Sequence, residues 1–80
     1  MKYKIKNIVN KKTKKVDEEF SYRIGRICTL SKINIFRPMS VHYEDNRAFR
    51  TSRVRCTSKQ DKLLWITTAN RIYVFEEIGE

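Results

Sequence analysis

Glycine and proline are nearly missing from this chain: two and one, respectively, among 80 residues, with a single histidine and two cysteines. Two isolated glycines cannot form the glycine-rich loop that cradles a nucleotide phosphate. The lone histidine, His42, has no positioned partner in the sequence. Cys28 or Cys56 beside it would need a third orienting group, so no catalytic residues and no enzyme activity are expected. Two cysteines and one histidine also lack the close pair spacing of zinc sites, and neither metal nor cofactor is expected. The cysteines are too few for a disulfide framework and sit in apolar contexts, which reads as two reduced core thiols. Long apolar runs are absent too: the basic N-terminus has nothing beyond Ile8 and Val9. Neither a signal peptide nor a membrane span is expected, and the expected location is the cytoplasm.

Acid is in short supply. Eighteen basic residues face nine acidic ones, a net charge of +9. Such an excess acts on partners and solubility rather than on fold. Its natural partners are polyanions: nucleic acid, or an acidic or nucleic-acid-bound protein complex. A scattered, solubilising basic surface is the plain alternative. The acids cluster at Asp17 to Glu19, Glu44 to Asp45 and Glu76 to Glu77, beside turn or terminus signals, as solvated patches.

A chain of this length makes one small domain that buries only about 60% of its unfolded surface. Nine aromatics argue against disorder. Residues 3–9 alternate weakly with lysines between, as an edge strand facing water would. Asn10 to Lys15 is a polar turn or loop. Phe20, Tyr22 and Ile24 alternate, predicting a strand near residues 19–24, and Gly25 supplies a bend. A strand follows near 26–30, then a helical turn or second strand stopped by Arg37-Pro38. The conformation of residues 27–40 stays open as a whole, because Leu30, Ile33 and Phe36 recur at helical spacing while Ile33 and Ile35 recur at strand spacing. Val41 to Glu44 is strand-like, and Glu44, Asp45 and Asn46 signal a turn.

The last third organises the chain. Three strands between Thr51 and Glu77 are joined at Lys59-Gln60-Asp61 and Thr68-Ala69-Asn70, read as three-residue hairpin loops. These loops pair Val54 with Ile66, Cys56 with Leu64, Leu64 with Val74 and Ile66 with Ile72. One face then holds those aliphatics. The other holds Arg53, Arg55, Thr57, Leu63, Trp65, Tyr73 and Phe75. The expected fold is mainly β: a small curled antiparallel sheet, or an SH3-like or OB-like barrel, ending in a three-stranded meander.

This C-terminal pattern resembles small proteins encoded by phages and prophages. It carries Thr51-Ser52-Arg53-Val54, then Ile66-Thr67-Thr68-Ala69-Asn70, then Tyr73 and Glu76-Glu77, with Ile24-Gly25 in the first half. Arg71 departs from the pattern, where a small residue is more familiar. The resemblance implies a small β fold and a mobile-element origin, with inhibition of host defence systems such as anti-CRISPR activity among the roles of such proteins. It hands over no site.

Arg47, Arg50, Arg53 and Arg55 lie close together with no acid among them. Arginine's planar fork suits phosphate, so these four, with Arg71, Tyr73 and Trp65, form the candidate anion-binding set. Lys11, Lys12, Lys14 and Lys15 are a secondary basic patch. Trp65, Tyr73 and Phe75 are either a stacking surface or core, since a thin core rarely leaves large aromatics in water. The expected function is therefore non-enzymatic binding, as a phage-type inhibitor of host defence acting on nucleic acid or a nucleic-acid-handling complex. A general nucleic-acid-binding barrel module and a virion structural or assembly protein are the alternatives. Either a monomer or a homodimer is compatible with the sequence.

Overall fold

The described residues form six antiparallel strands, β1 (Lys2–Asn10), β2 (Ile27–Leu30), β3 (Pro38–Tyr43), β4 (Ala48–Gln60), β5 (Leu63–Thr68) and β6 (Arg71–Gly79). The computed structural model describes residues 1–79. Each strand pairs with the next, and β6 returns to β1 to close a barrel. The fold is therefore mainly β, and its second half is the expected meander. Among the described residues no helix is long and apolar enough to cross a membrane.

Closure changes the status of β1. It pairs with β2 at Tyr3 and Lys4 and with β6 along most of its length, so it is not an edge. Lys4 and Lys6 still face water. With β1 and β6 joined, the sheet closes on itself among the described residues.

Residues 19–24 are not a strand. Glu18–Arg23 forms a short 3-10 helix, begun by Asp17, whose carboxylate accepts a hydrogen bond from the Phe20 backbone N–H. A capping aspartate followed by two glutamates suits a helix N-terminus. Phe20 and Ile24 pack against the core, while Tyr22 points away and is exposed. Gly25 does make the bend: its φ is 92°, and its N–H reaches Ile5 O at 2.7 Å. Residues 31–37, ambiguous by period, form neither a helix nor a strand but a loop ending in a turn before Pro38.

The meander is shifted from the expected register. The β4–β5 turn is Asp61-Lys62, with Gln60 opposite Leu63, and Asp61 takes the left-handed conformation at φ 55°. Val54 faces Thr68 and Thr57 faces Ile66. In the β5–β6 pair, Leu64 faces Phe75 and Ile66 faces Tyr73, one residue from the expected Val74 and Ile72. A one-residue slip exchanges the two faces of a strand. Tyr73 and Phe75 are consequently core, and Ile72 and Val74 lie outside with Trp65.

The core comprises Ile5, Ile8, Cys28, Met39, Val41, Val54, Leu64, Ile66, Tyr73 and Phe75. The two cysteines differ. Cys28 is buried as expected, and burial pushes its thiol pKa up to about 11. Cys56 is exposed, contrary to expectation, because a bulge between Val54 and Cys56 breaks the alternation of β4. In the native protein an aromatic disulfide reagent is expected to titrate one thiol, Cys56, rapidly. The second is expected to react only on unfolding. Equal reactivity of both thiols would contradict this register.

Candidate nucleic-acid interface

Two bulges in β4 decide where its arginines point. Pro38 faces Arg53 and Ser40 faces Arg50, so three β4 steps oppose two on β3. Strict alternation would place Arg50 and Arg53 on opposite faces; the extra residue puts both outside, where both are exposed. Thr51 stabilises this irregularity. Its buried hydroxyl accepts from Met39 N at 3.1 Å and donates to Ser52 O at 2.7 Å. The second bulge falls at Arg55, the unpaired residue between Val54 and Cys56, and leaves it exposed too.

Backbone hydrogen bonds then tie distant basic segments to this part of β4. Ala69 N donates to Arg53 O at 3.0 Å, and Lys11 N donates to Asn70 O at 3.2 Å. The lysine loop and Arg53 thus flank the turn at residues 69–70. On the other side of β4, Val54 N donates to Arg37 O at 3.0 Å and Phe36 N to Val54 O at 2.6 Å. The result is a continuous basic band: Lys11, Lys12, Lys14 and Lys15, then Arg53 and Arg55, then Arg37. All seven are exposed, and none has a carboxylate partner among the described residues.

The lysines ride a tight turn built by Asn10. Its Oδ1 accepts from Lys12 N at 2.9 Å and Thr13 N at 3.1 Å, and its main-chain oxygen accepts from Lys14 N at 2.8 Å. Val16 then bridges back to Val9. A charged loop anchored this way loses less conformational freedom on binding an anion.

Other members of the expected set lie elsewhere. Arg47 sits in the β3–β4 turn with its Nε 3.7 Å from Asp45, about 26 Å along β4 from Arg55 by strand rise. Arg50 lies between the two. Trp65 is half-buried on the outer face of β5, between Ser58 and Val74, not beside Arg55. Tyr73 is 2% exposed and leaves the candidate set, because its ring fills the barrel and faces no solvent. Burial pushes its hydroxyl pKa up, with Arg71 and Arg23 opposing.

Arg71 also leaves the set. Its Nε donates to Asp17 Oδ2 at 2.8 Å, and its guanidinium lies 4.2 Å over the Phe20 ring. Asp17 is 5% exposed. Burial raises its carboxyl pKa, but Arg71, Asn10 and the Phe20 N–H together outweigh that and hold it below the ordinary value. This ion pair ties the short helix to β6 and is structural. Period-based reading missed Arg37 and Phe36, which lay in the segment where helix and strand spacing competed. Among the described residues no three His, Cys, Asp or Glu side chains gather as a metal site.

Arg71→Met, which leaves Asp17 buried and unpaired, is expected to lower stability by about 3 kcal/mol at neutral pH. A depressed folded-state pKa gives stability that is complete above the ordinary aspartate value of about 4 and is lost as pH falls through the folded value. The gap between wild type and variant in urea denaturation is therefore expected to narrow on acidification below pH 5. A gap independent of pH would contradict the pairing.

Comparison of the chain with protein-family models, with curated protein sequences and with solved structures finds no match.

Proposed function

We propose that this protein is a non-enzymatic binding protein that engages nucleic acid, free or held in a nucleic-acid-handling complex. The contact surface is the band from the lysine turn through Arg53 and Arg55 to Arg37. One observation carries this reading: basic residues from three separate segments are brought together, exposed and without acidic partners among the described residues. Three arginines elsewhere on the molecule are paired with acids. Arg26 and Arg47 meet Asp45, and Arg71 meets Asp17. Unpaired, surface-exposed forks and ammonium groups can exchange counterions for phosphates, which is the main source of affinity for nucleic acid.

The resemblance to phage-encoded proteins supplies a setting, the cytoplasm of a host cell. There such a band could occlude the guide or target channel of a defence complex, an anti-CRISPR type of inhibition. A general nucleic-acid-binding module would use the same band without a dedicated complex. A separate observation favours protein contacts, as in virion assembly: Leu63, Trp65, Ile72 and Val74 lie half-buried on the outer face of β5 and β6.

The salt dependence of oligonucleotide binding tests the proposal. Replacing Arg53 and Arg55 with alanine is expected to weaken binding and to flatten the slope of log K against log salt by about 1.4, at roughly 0.7 per lost phosphate contact on a single strand. Exposed side chains carry little stability, so the melting temperature is expected to stay near that of wild type. An unchanged slope would remove β4 from the interface.

A further inference from the structure

The geometry points to Phe36 as a stacking platform for an unpaired nucleobase, so that the nucleic acid on the basic band is single-stranded at that point. This deepens the proposed function and rests on it. Phe36 is 68% exposed, more than any other large hydrophobic residue described, and its neighbour Ile35 is 45% exposed. The other three phenylalanines behave differently: Phe75 is core, and Phe20 and Phe49 pack against it.

Its backbone is strained. Phe36 has φ 69°, a left-handed conformation otherwise taken, among the described non-glycine residues, only by Lys14, Asn46 and Asp61. Asparagine and aspartate tolerate that conformation, and the Lys14 turn is held by Asn10. A bulky aromatic gains nothing locally from it, and strain of this kind concentrates where a side chain must be presented. The loop is also fixed. Phe36 N bonds Val54 O at 2.6 Å, Val54 N bonds Arg37 O, and Arg37 N bonds Asn34 O at 3.2 Å. A ring in water on a fixed backbone is ready to bind at small entropic cost.

Its neighbours give the ligand's chemistry. Arg37 follows directly, and Arg53 and Arg55 flank the Val54 to which the loop is bonded. An exposed ring among unpaired arginines matches one base face and the phosphates either side of it. A duplex hides its base faces, so the base must be unpaired.

The test compares wild type, Phe36→Asn and the alanine variant of Arg53 and Arg55. Asparagine keeps the left-handed turn and removes the ring, so the fold is retained. The probes are a fluorescein-labelled oligothymidylate of about twelve nucleotides, an abasic oligomer of equal length and charge, and a duplex. Phe36→Asn is expected to lose roughly tenfold in affinity for the oligothymidylate, with no change on the abasic oligomer or the duplex and no change in salt slope. The arginine variant is expected to lose on all three. Equal binding of oligothymidylate by wild type and Phe36→Asn overturns the stacking role and leaves the basic band standing. No binding of any probe by wild type at low salt overturns the band, and the inference with it. Should Phe36→Asn melt below wild type, Phe36→Trp in a Trp65→Phe chain decides the matter. Its single indole is expected to be quenched by oligothymidylate and not by the abasic oligomer. Unquenched emission at saturation overturns the role.

Discussion

A run of aromatic rings through the barrel is the constraint on which the rest of the structure depends. Tyr3 meets Phe75 edge-on at 6.2 Å, Phe75 stacks on Tyr73 at 6.1 Å, and Tyr73 reaches Phe49 at 6.2 Å. Phe49 then meets Tyr43 at 5.6 Å. Each contact adds about 0.5–1.5 kcal/mol to the burial itself. A closed barrel of so short a chain has few interior positions, and the large rings of Tyr73 and Phe75 take up much of that space. Tyr73 and Phe75 must therefore point inward, and that fixes the register of β6 against both β5 and β1.

With the interior fixed, the exterior follows. Cation–π contacts seal one end: Arg23 lies 4.2 Å over Phe20 and 3.9 Å over Phe49, and Arg26 lies 4.0 Å over Tyr43. Arg71 and Asp17 bind the short helix to β6. These basic residues are engaged in holding the fold. Those left without acidic partners among the described residues include the lysine turn, Arg53, Arg55 and Arg37, and backbone hydrogen bonds place them side by side. The division between structural and available charge therefore follows from which basic residues the core and its helix require.

The β class, the bend at Gly25 and the turn at Glu44 to Asn46 were legible in the sequence because composition and turn chemistry speak directly. The register of the meander was not. Both alternating sets of β6, Ile72 with Val74 and Tyr73 with Phe75, are apolar, so alternation fits either side, and only the volume of the barrel chooses. Asp61 was read as the last residue of a three-residue loop, whereas it opens a two-residue one. The bulges in β4 also escape a pattern of period two, which is why Cys56 emerged outside and Arg50 joined Arg53. The Thr-Ser-x-Val pattern has a physical basis of its own: Thr51 stitches the first bulge, and Val54 is core. Thr68 likewise closes the last hairpin, accepting from Arg71 N at 3.1 Å and donating to Arg71 O at 3.0 Å. Thr51, Val54 and Thr68, three of the residues that carry the resemblance, thus serve the fold. Phe20 and Tyr22 mimicked a strand because a capped 3-10 helix is too short to show its own period.

In the proposed function it is the basic band, not the apolar outer face of β5 and β6, that meets the anionic partner. The most direct measurement is a titration of the isotope-labelled protein with a single-stranded oligonucleotide, followed by amide chemical shifts. Shifts are expected to concentrate at residues 11–15, 36–37, 53–55 and 69–70, with Trp65, Ile72 and Val74 unmoved. Shifts centred on Trp65 and its neighbours, with Arg53 and Arg55 silent, would contradict it.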